Sequence, residues 1–242
     1  MTEQVLEEII YAGKNELMLG TPLESYFGLI ESGISFQHIR SNCWRGYVGQ
    51  WEVINGRVYL NGFSAGIGRG KQLNLVDIFP NFSERVFAHW ITGVLRLPQG
   101  EWANYRHERF INLHVKAGEI YSTLEDISGS QEIAQRAVKS PNSPEFQVEK
   151  SDLIDRFELS EVEKKSIIED PLEAVPSSPF GHLNHKWELF KSHLLNGDEV
   201  WSFSSIYNYR LPFREKRSGF AILRDQTTVA YFLTNIEPLS RY

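Results

Sequence analysis

The tightest constraint on this chain sits at Asn55-Gly56, between the runs Tyr47-Val48-Gly49-Gln50-Trp51-Glu52-Val53-Ile54 and Arg57-Val58-Tyr59-Leu60. Asn and Gly both tolerate positive φ, and a two-residue turn with φ > 0 at both positions has the twist of the antiparallel strands it joins. The flanking residues are β-branched and aromatic, so the segment predicts a tight hairpin. A chain pinned this way commits its N-terminal half to antiparallel pairing.

Neighbouring segments agree. VLEEIIYAGKNELMLG has two apolar runs around Gly13-Lys14-Asn15 and predicts an opening hairpin. Thr21-Pro22-Leu23-Glu24 has the form of a helix start, with Phe27, Leu29 and Ile30 as its buried stripe and Gly33 as its end. Glycines make 62–70 a predicted loop. Leu75 to Phe79 is a short apolar run closed by Pro80, and 85–97 reads as either strand or buried helix. Phe110 to Val115 and Glu119 to Leu124, joined by Lys116-Ala117-Gly118, predict a further hairpin. Its first arm places Ile111, Leu113 and Val115 on one face and Phe110, Asn112 and His114 on the other.

Composition then changes. Residues 127–150 hold Ser128-Gly129-Ser130 and Ser140-Pro141-Asn142-Ser143-Pro144 with few apolar residues, which predicts a linker. Residues 151–173 carry eight acids (Asp152, Asp155, Glu158, Glu161, Glu163, Glu169, Asp170, Glu173) against three bases (Arg156, Lys164, Lys165). Ser160-Glu161-Val162-Glu163 has the spacing of a capping box, so an acidic helix ending before Pro171 is expected. Leu183, Trp187, Phe190, Leu194 and Leu195 recur at helical spacing with Gly197 as the C′ residue. Val200–Ile206, Gly219–Leu223 and Val229–Thr234 then form a meander with Asp225-Gln226 as its last turn. The expected fold is α+β: a mainly antiparallel domain over 1–126, a linker over 127–150, and an acidic helix with a helix-plus-three-strand module over 151–242.

Charge and cysteine content narrow the function classes. The net charge of −6 is concentrated in 151–173, and the basic residues are scattered apart from Arg210 to Arg217, which reads as a loop. A nucleic-acid binder needs a basic stripe, so nucleic acid is not the expected partner. The start, MTEQVLEEII, has no basic region ahead of an apolar core, and no run approaches the roughly 18 apolar residues of a membrane span. A cytoplasmic protein without a membrane partner is expected. With Cys43 as its single cysteine the chain has no internal disulfide or two-cysteine metal knuckle.

Motifs with catalytic residue types fall short of a named chemistry. Gly66-Ile67-Gly68-Arg69-Gly70 lacks the Lys-Ser/Thr pair and the following helix of a phosphate loop. Cys43 would need His38 or His89 beside it to act as a nucleophile, and otherwise reads as a buried apolar residue. His182, His185 and His193 have the wrong spacing for a compact metal site and read as surface histidines. His107-Glu108 with Arg106 and Arg109 offers acid, base and cation in four residues, but consecutive residues of an extended segment point to opposite faces, so a charged turn or edge is the simpler account. No cofactor or metal is expected. Trp44, Arg45, Tyr47, Trp90 and Arg96 are the residue types that anchor protein interfaces, and Asp152, Asp155 and Glu161 suit a basic partner.

Cys43-Trp44-Arg45-Gly46-Tyr47-Val48-Gly49-Gln50-Trp51-Glu52-Val53, Gly56-Arg57-Val58-Tyr59-Leu60, Ile78-Phe79-Pro80 and Val86-Phe87-Ala88-His89-Trp90-Ile91-Thr92-Gly93-Val94-Leu95-Arg96-Leu97-Pro98-Gln99-Gly100 resemble a bacterial family. Its chains read WRGYxGxWEIxDGRLYL, LFP and VFADWFSGxLRIPQG. The resemblance covers residues 43–125 and implies no activity; His89 stands where the family has Asp. Gly197-Asp198-Glu199-Val200-Trp201-Ser202-Phe203-Ser204-Ser205 and Ser218-Gly219-Phe220-Ala221-Ile222-Leu223-Arg224 resemble small bacterial domains with the pattern GDELWxFxSP and GxALVRxGxVV. Asn208-Tyr209 stands in place of their Pro-Pro and Trp. Some such domains are immunity-type proteins that neutralise a toxin by binding it. The leading expectation is therefore a protein-binding module, an immunity or antitoxin-like inhibitor of a toxin or effector. The alternatives are a hydrolase-like enzyme using His107, Glu108 and Arg96 or Cys43, and a structural subunit of a larger complex.

Overall fold

A computed structural model describes residues 5–34, 36–37, 42–66, 72–103, 106–126, 145–210 and 213–239, without the side chains of 101–103, 106, 209, 210 and 213. His38, the glycines at 68 and 70, the Trp102 side chain and the linker motifs within 127–144 lie outside this set. The chain forms two compact units, Met1–Leu23 with Gly33–Ile133, and Glu24–Ser32 with Ala134–Tyr242. It is mostly antiparallel sheet with few helices, an α+β protein with a β-rich N-terminal part. Among the described residues no helix is long and apolar enough to cross a membrane.

The elements follow in order as β1 (Glu7–Tyr11), β2 (Lys14–Met18), α1 (Pro22–Leu29), β3 (Tyr47–Ile54), β4 (Arg57–Gly66), β5 (Gln72–Leu73), α2 (Leu75–Ile78), β6 (Val86–Phe87), β7 (Gly93–Ala103), β8 (Arg106–Lys116) and β9 (Glu119–Asp126). The sheet runs β2-β1-β3-β4-β9-β8-β7, with β5 and β6 also on β4; β1 and β3 are parallel. Leu19 donates its N–H to the Arg96 carbonyl at 2.8 Å, so a bridge joins the β2 end of the sheet to β7 and the sheet curls until its ends meet. Ile9, Met18, Trp51, Leu60, Leu97, Leu113 and Val115 are buried by this curl.

The Asn55-Gly56 hairpin forms as expected, with φ of 50° and 76°. The opening hairpin turns at Ala12-Gly13 and the third at Ala117-Gly118, each with positive φ at both residues. Several local expectations are corrected. Residues 62–66 continue β4, because Ala65 and Gly66 pair with β5. The 75–79 run begins with the short helix α2, and 85–97 divides into β6, a connection and the start of β7. The buried residues of α1 are Pro22, Leu23, Tyr26 and Leu29; Phe27 and Ile30 are half-buried.

The remaining elements are β10 (Leu153–Phe157), α3 (Leu159–Lys165), α4 (Asn184–Lys191), β11 (Glu199–Arg210), β12 (Phe213–Arg224) and β13 (Thr227–Leu239), in the sheet order β10-β11-β12-β13. The meander is as expected, and its Asp225-Gln226 turn has φ of 47° and 67°. The acidic segment is only partly helical, since Asp155 lies on β10 and α3 is seven residues long. Glu158 is the N-cap of α3, so Ser160 stands two residues too late to form the capping box. The α4 helix ends at Lys191, and Gly197 belongs to the next turn. Arg210 and 213–217 lie on strands, contrary to the expected loop. Trp187, Phe180, Phe190 and Phe232 form an aromatic core beside α4, with ring centroids 4.8–6.2 Å apart.

Candidate functional site

The WRGYxGxW signature turns out to hold one buried carboxylate. Glu7 on β1 is 0% exposed. Its Oε2 accepts the Gly49 N–H at 2.6 Å and the Trp51 Nε1–H at 3.1 Å, and its Oε1 lies 3.0 Å from Arg45 Nε. Arg45 Nη1 also donates to the Val5 carbonyl at 2.6 Å. A buried charge is tolerable only when paired and hydrogen-bonded, and Arg45, Gly49 and Trp51 supply that shell. Gly49 is required for space: a Cβ there would stand 2.6 Å from Glu7 Oε2 and 2.8 Å from Trp51 Nε1. Tyr47 is buried against Phe36 and Phe63. Trp90 stacks on Phe79 and donates Nε1–H to the Pro22 carbonyl at 3.2 Å. Arg45, Tyr47 and Trp90 therefore spend their interface-type surface inside the first unit. Trp44 is 61% exposed.

The hydrolase-type residues are not gathered together. Arg96 lies opposite Asn112, binds its Oδ1 at 3.2 Å and covers the Phe110 ring. His107 is five residues back along β8, roughly 16 Å at the strand rise. Glu108 is exposed beside Gly100. Cys43 is buried and its thiol donates to the Tyr47 carbonyl at 3.4 Å. His89 is packed edge-on to Trp90.

In the second unit the acids take up different roles. Asp152 accepts the Glu149 N–H, Asp155 is exposed on β10, and Glu161 pairs with Lys165 at 2.6 Å. Glu163 faces α4, accepting from Lys191 Nζ at 2.6 Å and Trp187 Nε1 at 3.1 Å; those donors, the lysine first, lower its pKa. His182 is not a surface histidine. It is buried with Nε2 3.0 Å from the Ala174 carbonyl, and burial pushes its pKa down to about 4. Among the described residues no group of three or more His, Cys, Asp or Glu side chains could hold a metal ion.

Within the second unit a concavity of about 730 Å³ runs along β13. Consecutive residues 227–233 form its floor, residues 145–150 one wall and α4 the other. Phe146 anchors the first wall by packing on Phe203, Tyr207 and Tyr231. Arg217 holds that cluster together: its guanidinium lies 4.2 Å from the Tyr207 ring and 4.7 Å from Phe146, and pairs with buried Glu215 at 3.0 Å. Leu189 and Val229 stay exposed. Glu31, at the end of the 24–32 segment, accepts the Tyr231 hydroxyl at 2.8 Å. That contact, with burial as the larger cause, raises the Tyr231 pKa. None of the expected binding residues lies in this groove. The position of Val229–Thr234 as last strand of a meander was the one sequence signal for it, since such a strand ends a sheet.

No family model, curated protein or solved structure matches this chain.

Proposed function

We propose that this chain is a protein-binding module that acts by occupying its partner, in the manner of a cytoplasmic bacterial immunity or antitoxin-like inhibitor. The observation that carries the reading is the groove over β13, with a strand edge as its floor and exposed Leu189 and Val229 on its surface. Apolar side chains exposed beside main-chain donors and acceptors are the ingredients of a protein interface. Exposed Asp155 and Glu161 favour a basic partner through long-range attraction. The resemblance of the last module to immunity-type domains points the same way, and that of residues 43–125 to the WRGY family remains a proposal beside it.

The test is native mass spectrometry of the tagged protein, purified gently from its own host, for wild type and for Leu189→Glu/Val229→Glu. Both positions are exposed, so folding should be unaffected. A protein bound stoichiometrically to wild type and lost from the variant is the expected result. Wild type that emerges bare, or a partner retained by the variant, overturns the reading.

A further inference from the structure

Every strand edge carries N–H and C=O groups that need partners. In the second unit β13 is the last strand of its sheet, paired to β12 on one side, and no described strand pairs its other side. Because seven consecutive residues, 227–233, line one groove, the groove receives the outer edge of the strand along with side chains of both faces. Its floor is roughly 20 Å long at about 3.3 Å per residue, room for five to seven residues of extended chain. A helix satisfies its own main chain and would leave the edge groups unmet, whereas an extended segment pairs with them directly.

The walls add side-chain chemistry. Leu189 and Val229 offer exposed apolar surface to such a segment, while Leu29 and Phe146, also lining the groove, are themselves buried. Toward one end two exposed carboxylates act on Tyr231: Glu31 accepts its hydroxyl and Glu145 adds to the negative potential there, against the opposing charge of Arg217, which is already paired with buried Glu215. At the turn end Lys150 is engaged by Gln226. The acidic end has no lysine or arginine hydrogen-bonded to Glu31 or Glu145 among the described residues.

We infer that the groove takes an extended segment of the partner protein, added to the sheet as a fifth strand beside β13, with a Lys or Arg side chain placed against Glu31 and Glu145. This deepens the protein-binding reading and rests on it. Main-chain pairing supplies the affinity and the carboxylate pair sets which segment fits.

The probe is a phage-displayed library of random dodecapeptides, selected on the immobilised full-length protein, with enriched peptides synthesised and measured by fluorescence anisotropy. Hydrogen exchange locates the bound peptide. The expected peptides alternate apolar residues, carry a Lys or Arg, and slow exchange over 227–233. One backbone N-methyl group on the pairing edge should weaken them roughly tenfold, about one hydrogen bond. Glu31→Lys/Glu145→Lys should weaken them by a similar factor and spare peptides that have Glu in place of the cation. Peptides that protect 227–233 but tolerate N-methylation at every position would overturn strand addition while leaving groove binding intact. Peptides indifferent to the carboxylate variant would overturn the cation assignment. Peptides that protect only other segments, or no enrichment at all, would sink the groove as the binding site.

Discussion

Glu7→Gln tests whether the WRGYxGxW signature is a device for burying one charge. The wild-type carboxylate, fully buried, receives the Gly49 amide, the Trp51 indole and the Arg45 guanidinium. A glutamine of nearly the same shape offers one oxygen to those three donors and turns an NH2 group toward one of them. It also leaves Arg45, whose side chain is only 10% exposed, without its counterion. Removing one member of a buried ion pair costs about 3–5 kcal/mol, because the remaining charge stays desolvated. Spread over a unit of this size, that lowers Tm by roughly 10–20 °C. Arg45→Met should cost a comparable amount. The double variant removes both charges and should cost less than the sum of the two, by about 0.5–3 kcal/mol. Urea denaturation with hydrogen exchange read on peptides spanning 47–54 assigns the loss to the first unit. If Glu7→Gln lies within about 0.5 kcal/mol of wild type, or the two single effects simply add, the node is not what holds β1 to β3.

The second unit should be sensitive to acid through His182. The folded chain keeps the ring neutral with a pKa near 4, while the unfolded chain takes up a proton near the ordinary 6.5. Stability is therefore complete above pH 6.5 and falls as pH drops toward 4, by about 3 kcal/mol in total. His182→Gln should flatten the slope of the urea midpoint across that window; an unchanged slope places the titration elsewhere. Trp187→Phe keeps the ring stacked on Phe190 but removes the donor to Glu163, which should cost about 1.5–3 kcal/mol by thermal unfolding. A cost indistinguishable from zero would mean that the Glu163–Lys191 pair suffices alone. Gly56→Ala should cost about 1–2 kcal/mol from its φ of 76°, with hairpin exchange rates as the readout; unaltered rates would contradict that.

Local chemistry determined the antiparallel frame. Asn55-Gly56 turns where its backbone preference requires, and Leu113 and Val115 are buried as their alternation implies, although Phe110 of the opposite face is buried too and Ile111 is only half-buried. These are effects of neighbours in sequence, so they can be read from sequence. Ala12, Ala117 and Gln226 also hold positive φ, against their own preference, because the strands on either side are already paired and the turn has to close. Ser160 falls inside α3 rather than at its N-cap position, which Glu158 occupies without a side-chain cap, and Glu163 turned instead toward Trp187 and Lys191, partners 24 and 28 residues away. The basic run ending at Arg217 reads as a loop only until Glu215, Phe146 and Tyr207 enclose its last guanidinium within the sheet. The sequence identified Trp44, Arg45, Tyr47 and Trp90 as interface residue types, yet it could not say which of them burial would claim. That depended on partners distant along the chain: Glu7 for Arg45, Phe36 and Phe63 for Tyr47, and Phe79 with the Pro22 carbonyl for Trp90. The groove over β13 belongs wholly to the tertiary structure: it exists because residues 24–32 and 145–150 come to rest beside the final strand, and no local rule brings them there.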